Sequence, residues 1–212
     1  GVNPNLIHVI PHGIKIHQDI DSSHDEELVN SIQVPKRFVL AVGTIEPRKN
    51  LPMLVRAVEE ARETGEDISL VLVGPRGWGD VNGLDRDFVY ELGRIEDDIL
   101  NALMRQAIVY CVPSIYEGFG MPALEAMASR TPVIASGVAS LPEVVGDAGT
   151  LLDPLDSQSW AEAIVKISQD VDFRNDQAER GYVRAKSFTW ESSARAHVAA
   201  YREALRIWRN KR

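Results

Sequence analysis

Residues 108–136 read IVYCVPSIYEGFGMPALEAMASRTPVIAS, and the reading of this stretch decides the fold. Its two ends, 108–114 and 132–136, are short runs rich in β-branched and apolar residues that do not alternate with polar ones. A strand apolar on both faces belongs in a parallel sheet covered on both sides, because a sheet with one wet face would alternate. Between the runs, Pro122 opens a helical pattern that carries Leu124, Ala126, Met127 and Ala128 and ends near Ser129. Proline is suited to a first helical turn, where its missing N–H would have had no partner. Strand, loop, helix and strand in this order make a βαβ unit.

The same alternation extends in both directions. Candidate strands are 6–10, 37–43, 68–74, 87–93 and 150–153, each followed by glycine or proline punctuation. Leu51, Leu54, Val55, Val58 and Ala61 lie at the three-and-four spacing of a core-facing helix, with Asn50 as N-cap and Pro52 in the first turn. A second helix is expected over 97–107, and after Asp153 the pattern becomes helix upon helix, at 157–169, 173–186 and 190–209. The expectation is therefore one α/β, Rossmann-like three-layer domain with a parallel sheet. Residues 1–36 supply a lead-in strand and a polar connector (17–33), 37–155 the core, and 156–212 the terminal helices.

Composition narrows the function. The 212 residues include 44% apolar and 25% charged side chains, enough for a real core, and the net charge is −8. That field opposes the backbone of a nucleic acid, so no nucleic-acid partner is expected. A small phosphate ester remains open, since a few cations and backbone N–H groups can hold it locally. Cys111 is the single cysteine, reads as a small buried hydrophobe, and leaves no internal disulfide, which fits a reducing, cytoplasmic setting. The histidines are scattered without ligand spacing, so no metal is expected; His12, before Gly13, reads as structural or solvated. In the last helix Ala194, Val198, Tyr201, Leu205 and Trp208 form one stripe, usually a core face. The basic residues Arg195, Arg202, Arg206, Arg209, Lys211 and Arg212 of that tail are either a solvated face or a peripheral contact with anionic lipid at the inner face of the membrane.

In an open parallel sheet, ligands sit at the carboxyl ends of the strands. Three loops there carry suitable chemistry. In 42–50, VGTIEPRKN, Gly43 turns the chain and Arg48 and Lys49 arrive just before a helix N-terminus, an arrangement suited to an anion; the spacing is not that of a P-loop. In 73–80, VGPRGWGD, three glycines accompany Arg76 and Trp78, a weak signal alone. In the opening stretch, Gly118 and Gly120 allow close backbone approach, and Glu117 and Glu125 flank them. Glu125 is expected in the first helical turn, kept ionised by the macrodipole, while Glu117 in the loop is freer to reach a ligand. Two carboxylates beside a phosphate need donors of their own, and sugar hydroxyls supply them. The plain alternative is a pair of ordinary caps; a catalytic acid pair is a further one, for which nothing nearby raises one of the two pKa values.

PSIYEGFGMPALEAMASRTPVIAS resembles the signature of retaining, nucleotide-sugar-dependent glycosyltransferases of the two-domain GT-B architecture, the large group 1 family with Glu, seven residues, Glu. VIPHGI, VGTIEPRKNLPMLVRA, LVLVGPRGWG, ELGRI, SLPEVVGDAGTLLDPLD and FTWESSARAHVAAYREAL agree in order, so the resemblance covers nearly the whole chain. It implies that Arg48 and Lys49 bind the donor diphosphate, Glu117 the hexose hydroxyls and Glu125 the ribose diol. Gly118, Phe119, Gly120 and Met121 would contact sugar and phosphates, Leu124 would lie beside the distal phosphate and ribose, and Arg94 and Ile95 would read the base.

The same resemblance implies that this chain is the donor-binding C-terminal half. The acceptor, a sugar or lipid-linked sugar, would be held by an N-terminal half not found in these residues, and the last helix would cross back to that half. No cofactor is implied beyond the donor, with GDP-mannose favoured and a UDP-sugar possible. Two departures stand out: Thr44 replaces the arginine that many relatives carry after the first strand glycine, and Arg130 replaces a glycine. The first is shared with mannosyltransferase-like members. Alternatives from other classes are a non-catalytic nucleotide-sugar binding module and half of a GT-B sugar-nucleotide epimerase.

Overall fold

Alternate residues of the central strand face opposite cores. In β1 (Phe38–Val42), Phe38 and Leu40 pack into one apolar cluster and Val39 and Ala41 into the other, which is why the run is continuously apolar. The computed structural model describes residues 3–16 and 22–210. Around β1 lie β2 (Ser69–Val73), β3 (Val89–Gly93), β4 (Val109–Val112), β5 (Val133–Ser136) and β6 (Thr150–Leu152), in the order β3-β2-β1-β4-β5-β6 and parallel throughout. The helices are α1 (Ser22–Ser31), α2 (Leu51–Glu63), α3 (Asp97–Gln106), α4 (Met121–Ala128), α5 (Leu141–Val145), α6 (Ser157–Gln169), α7 (Val171–Ala185) and α8 (Trp190–Arg209). α2 and α6 cover one face of the sheet, with Trp160 fully buried; α3, α4 and α5 cover the other.

This is the three-layer architecture expected, and the order is that of a dinucleotide-binding sheet. The chain winds outward from β1 through β2 to β3, then returns to the far side of β1 as β4. Connections therefore leave β1 and β4 in opposite directions, and a crevice opens at their carboxyl ends.

Three expectations need correction. Residues 6–10 form no strand: Pro4–Leu6 is a 3₁₀ turn, and Ile7 (60% exposed) and Val9 (80%) have no neighbouring strand to bond or bury them. Of the polar connector, 17–21 lie outside the described residues, but Ser22–Ser31 is helical. It was hidden because a charge holds it in place. Asp25, 3% exposed, receives Arg105 of α3 through two 2.5 Å hydrogen bonds, and a buried carboxylate of this kind is tolerable only when so paired. The stripe of α8 is not core either. Val198, Tyr201, Leu205 and Trp208 are all exposed, whereas Ser193, Ala196, Ala200 and Ile207 turn inward. Lys211 and Arg212 lie outside the described residues.

The departure at Arg130 has a physical account. It follows α4 with φ of 58°, a left-handed conformation that glycine adopts without cost. Arginine recovers the difference through its side chain, whose guanidinium lies 3.7 Å from the Tyr182 ring centre and pairs with Glu179 on α7. The left-handed penalty and an exposed cation–π contact are each about 1 kcal/mol. Arg130→Gly, which loses both, is expected to match the wild type in urea denaturation, and Arg130→Ala, which keeps only the penalty, to fall about 1 kcal/mol below both. Equal stability of the two variants would contradict the account.

Candidate active site

The site is built where the β1 and β4 loops meet. After β1, Gly43 (φ 146°) and Gly74 (φ 139°) bring two strand ends together so tightly that a Cβ on Gly74 would lie 2.2 Å from the Gly43 carbonyl oxygen. A 3₁₀ turn, Pro47–Lys49, then delivers both cations. Asn50 stands at the N-cap of α2 as expected, but it makes no capping hydrogen bond. In a left-handed conformation it turns its amide outward and donates to the carbonyls of Pro113 (3.1 Å) and Pro154 (2.7 Å), tying the β1 loop to those after β4 and β6. The Ile115 N–H donates to the Arg48 carbonyl at 2.9 Å, adding a second tie.

Glu117 sits at the centre. Lys49 Nζ donates to its Oε1 at 2.6 Å, Ser114 Oγ to the same oxygen at 2.8 Å, and Arg48 Nη1 to Oε2 at 3.2 Å. Arg48 also donates to the Tyr116 carbonyl at 3.0 Å and pairs through Nε with Glu46 at 2.6 Å. The expectation of a loop glutamate free to reach outward is corrected: Glu117's side chain is 9% exposed and held by three donors. Burial pushes its carboxyl up, but the hydrogen bonds from Lys49 and Ser114 and the charges of Lys49 and Arg48 together outweigh this and hold it below the ordinary glutamate range. A small cavity beside it is lined by Gly43, Lys49, Ser114, Glu117 and Pro122.

Glu125 belongs to a different cleft. Gly120, with φ of 103°, is the N-cap of α4, so Glu125 is the fifth helical residue and lies beyond the first turn. It lines a cleft of about 510 Å³ between α3 and α4, whose wall also includes Asp97, Arg105, Met121, Lys15 and Trp190. Burial, then the nearby charge of Asp97, push its carboxyl up, the reverse of a dipole-held carboxylate.

Gly43, Arg48, Lys49 and Glu117 are thus brought together, and Met121 and Glu125 form a second group one helical turn away. Four other expected residues are placed differently. The Leu124 side chain is fully buried in the core, and Phe119 packs edge-on against His12 (centroids 5.0 Å apart) and Phe188 (6.1 Å). Ile95 leans on the core, and Arg94 is exposed in the β3–α3 loop. Arg76 is engaged by Glu91 through two hydrogen bonds of 2.7 and 3.1 Å, and Trp78 is exposed. Gly118 is peculiar: its φ is not left-handed and a Cβ there would meet nothing within 4 Å, so the fold does not require glycine. Sequence reasoning missed Glu46, Ser114, Ser140, whose hydroxyl donates to the Glu117 carbonyl at 2.9 Å, and Asp97. Ser114, Glu46 and Ser140 all lay inside quoted stretches, but nothing in their spacing marked them as partners of the site.

A carboxyl whose folded pKa is raised favours the fold below its unfolded value and loses that contribution as pH rises through the folded one. Glu125→Gln should therefore stabilise the free protein at pH 7 by about 0.5 kcal/mol after solvent screening, with no gain below about pH 4. Melting curves of both proteins at the two pH values check this; a variant less stable at pH 7 would contradict it.

A family model described as glycosyl transferases group 1 matches residues 36–170, well over half the chain. The chain is similar to O-antigen chain mannosyltransferase B of Escherichia coli, 39% identical over 78% of this chain and 45% of that protein. It is similar to the MMP alpha-(1->4)-mannosyltransferase of Mycolicibacterium hassiacum, 32% identical over 96% of this chain and 50% of that one. It spans about half the length of these curated relatives. Among solved structures, HepE of Anabaena in complex with UDP and glucose superimposes with a TM-score of 0.84, at 23% identity, over 96% of this chain and 59% of that one, a likeness of fold.

Proposed function

The chain belongs to the glycosyl transferases group 1 family, and from that premise we propose that it is the donor-binding C-terminal half of a GT-B glycosyltransferase that transfers a hexose from a nucleoside diphosphate sugar with retention. The observation that carries the reading is the placement of Lys49, Arg48 and Glu117 in the crevice between β1 and β4, with Glu125 in an adjoining cleft across the first turn of α4.

Each part has a role in this reading. Lys49 and Arg48 stabilise the charge that develops on the departing diphosphate, the point at which fixed cations help a transfer most. Glu117, ionised and immobile, accepts from hexose hydroxyls. Its tethers favour this use, because a carboxylate already oriented loses no freedom on binding. Glu125 accepts from the ribose diol; the cost of its ionised state in the free protein is relieved when hydroxyl donors arrive. At the head of α4 the Met121 N–H is the backbone donor assigned to the diphosphate, since Pro122 has none and those of Ala123 and Leu124 donate to the Gly120 carbonyl. Gly118 leaves the open space in which the sugar sits, which accounts for a glycine the fold does not need.

A mannose donor is favoured by the mannosyltransferases among its relatives, and GDP over UDP on the same ground, while the fold neighbour was solved with UDP and glucose. The acceptor half is assigned to the portion of the relatives that this chain does not span. The exposed stripe of α8 is the surface assigned to that half rather than to lipid, since Arg195 and Arg206 are already paired along the helix with Glu191 and Glu203. No helix among the described residues is long and apolar enough to cross a membrane.

Calorimetry of the chain with GDP, UDP and ADP tests the reading. One nucleotide should bind, with GDP expected, and Lys49→Ala should weaken it by about 2–4 kcal/mol. Binding of none would overturn the assignment. Gly118→Ala provides a sharper check, because the fold accepts a methyl group there. It should leave the melting temperature unchanged or slightly higher, while weakening binding of the nucleotide sugar by about 1–3 kcal/mol through overpacking.

A further inference from the structure

The cations assigned to the diphosphate are not free. Lys49 is matched by Glu117 and Arg48 by Glu46, so the corner holds two positive and two negative side chains. Arg76, on the neighbouring loop bridged to Ile45, is matched in the same way by Glu91. Glu46 is the unexpected member. It is 7% exposed, lies one residue before the 3₁₀ turn, and nothing in the fold alone calls for a buried acid between Ile45 and Pro47. It forms an ion pair, Oε1 lying 2.6 Å from Arg48 Nε, while Nη1 serves Glu117 and the Tyr116 carbonyl. The two hydrogen bonds of Nη1 set the plane of the guanidinium, and Nη2 has no protein partner among these contacts.

We infer that Glu46 tunes the transfer site by charge: paired with Arg48, it cancels that cation's charge, so that the diphosphate corner is neutral before a nucleoside diphosphate enters. The inference rests on the proposed diphosphate site and adds a reason for its composition. Only interactions stronger in the transition state than in the bound ground state speed a reaction. Two uncompensated cations would grip the spent nucleoside diphosphate as firmly as the transition state and delay its release. A neutral, fully oriented cluster instead offers directed N–H donors without a strong long-range field. As charge develops on the leaving oxygens, Arg48 Nη2 is the donor left for them while Glu117 keeps its three donors.

Glu46→Gln removes the charge at nearly constant size and shape. Calorimetric titration of the wild-type chain and the variant with GDP and with UDP, at low and at 0.5 M salt, is the experiment. At low salt the variant should bind the preferred nucleotide about three- to tenfold tighter than wild type, and the difference should shrink at high salt. Mere structural damage would weaken binding instead. Glu46→Asp, which keeps the charge, should show no tightening. Should the glutamine variant fail to fold, the wild type alone decides: a neutral corner predicts at most about a threefold loss of affinity across the salt range, and an order of magnitude or more would refute neutrality. A folded Glu46→Gln variant that binds no tighter than a binding-competent wild type overturns the inference and leaves the site assignment standing. A wild type that binds neither nucleotide removes both.

Discussion

A single buried carboxylate holds this site together. Glu117 gathers Lys49 and Arg48 from the loop after β1 and Ser114 from the loop after β4, and its own backbone carbonyl is held by Ser140 at the start of α5. These are the loops that diverge at the reversal of strand order, where nothing in the sheet itself would keep them at a fixed separation. The ion pair does so, together with the Asn50 amide and the Ile115–Arg48 backbone bond. Because the group is almost completely desolvated, breaking one contact would leave an uncompensated charge inside the protein, so the arrangement is enforced by the cost of every alternative.

The second constraint is the first turn of α4. Gly120 starts the helix from a left-handed conformation, and Pro122 fits the turn that follows, so that Met121 and Glu125 look towards α3 while Glu117 and Lys49 look towards β1. The two acids eight residues apart consequently occupy opposite electrostatic settings. One is stabilised as an anion by its donors; the other is disfavoured as an anion by burial and by Asp97. A shared motif thus contains two separate chemical environments.

Most of the architecture was legible because its physics is local. Apolar runs followed by glycine or proline punctuation marked the strands, continuous in β1, β2, β4 and β5 and interrupted by Glu91 in β3, and three-and-four spacing marked α2, α3, α4 and the helices after Asp153. Failures occurred where long-range contacts overruled local pattern. α1 was read as a connector because it is polar, and its place depends on an ion pair with Arg105, eighty residues away. The run 6–10 has the composition of a strand but no partner, and backbone pairing cannot be read from one segment. In the site, residue types and neighbourhood were readable, but not the state of the groups. That Glu117 is tethered, that Glu125 lies past the first turn, and that Glu46 takes part all depend on which side chains meet across the crevice. The resemblance to a family supplied motif order and roles, whereas the exposure of the α8 stripe and the burial of Leu124 required coordinates.

The reach of Asn50 bears on how such a domain can diversify. One amide clasps the loops after β4 and β6 from the loop after β1, so an insertion or deletion in any of the three would disturb the other two. The β3–α3 loop, 94–96, lies outside that clasp and beside the Glu125 cleft. Lineages, or laboratory libraries, can therefore vary the exposed Arg94 of that loop while the three clasped loops stay in register, with Ile95 kept apolar by its contact with the core.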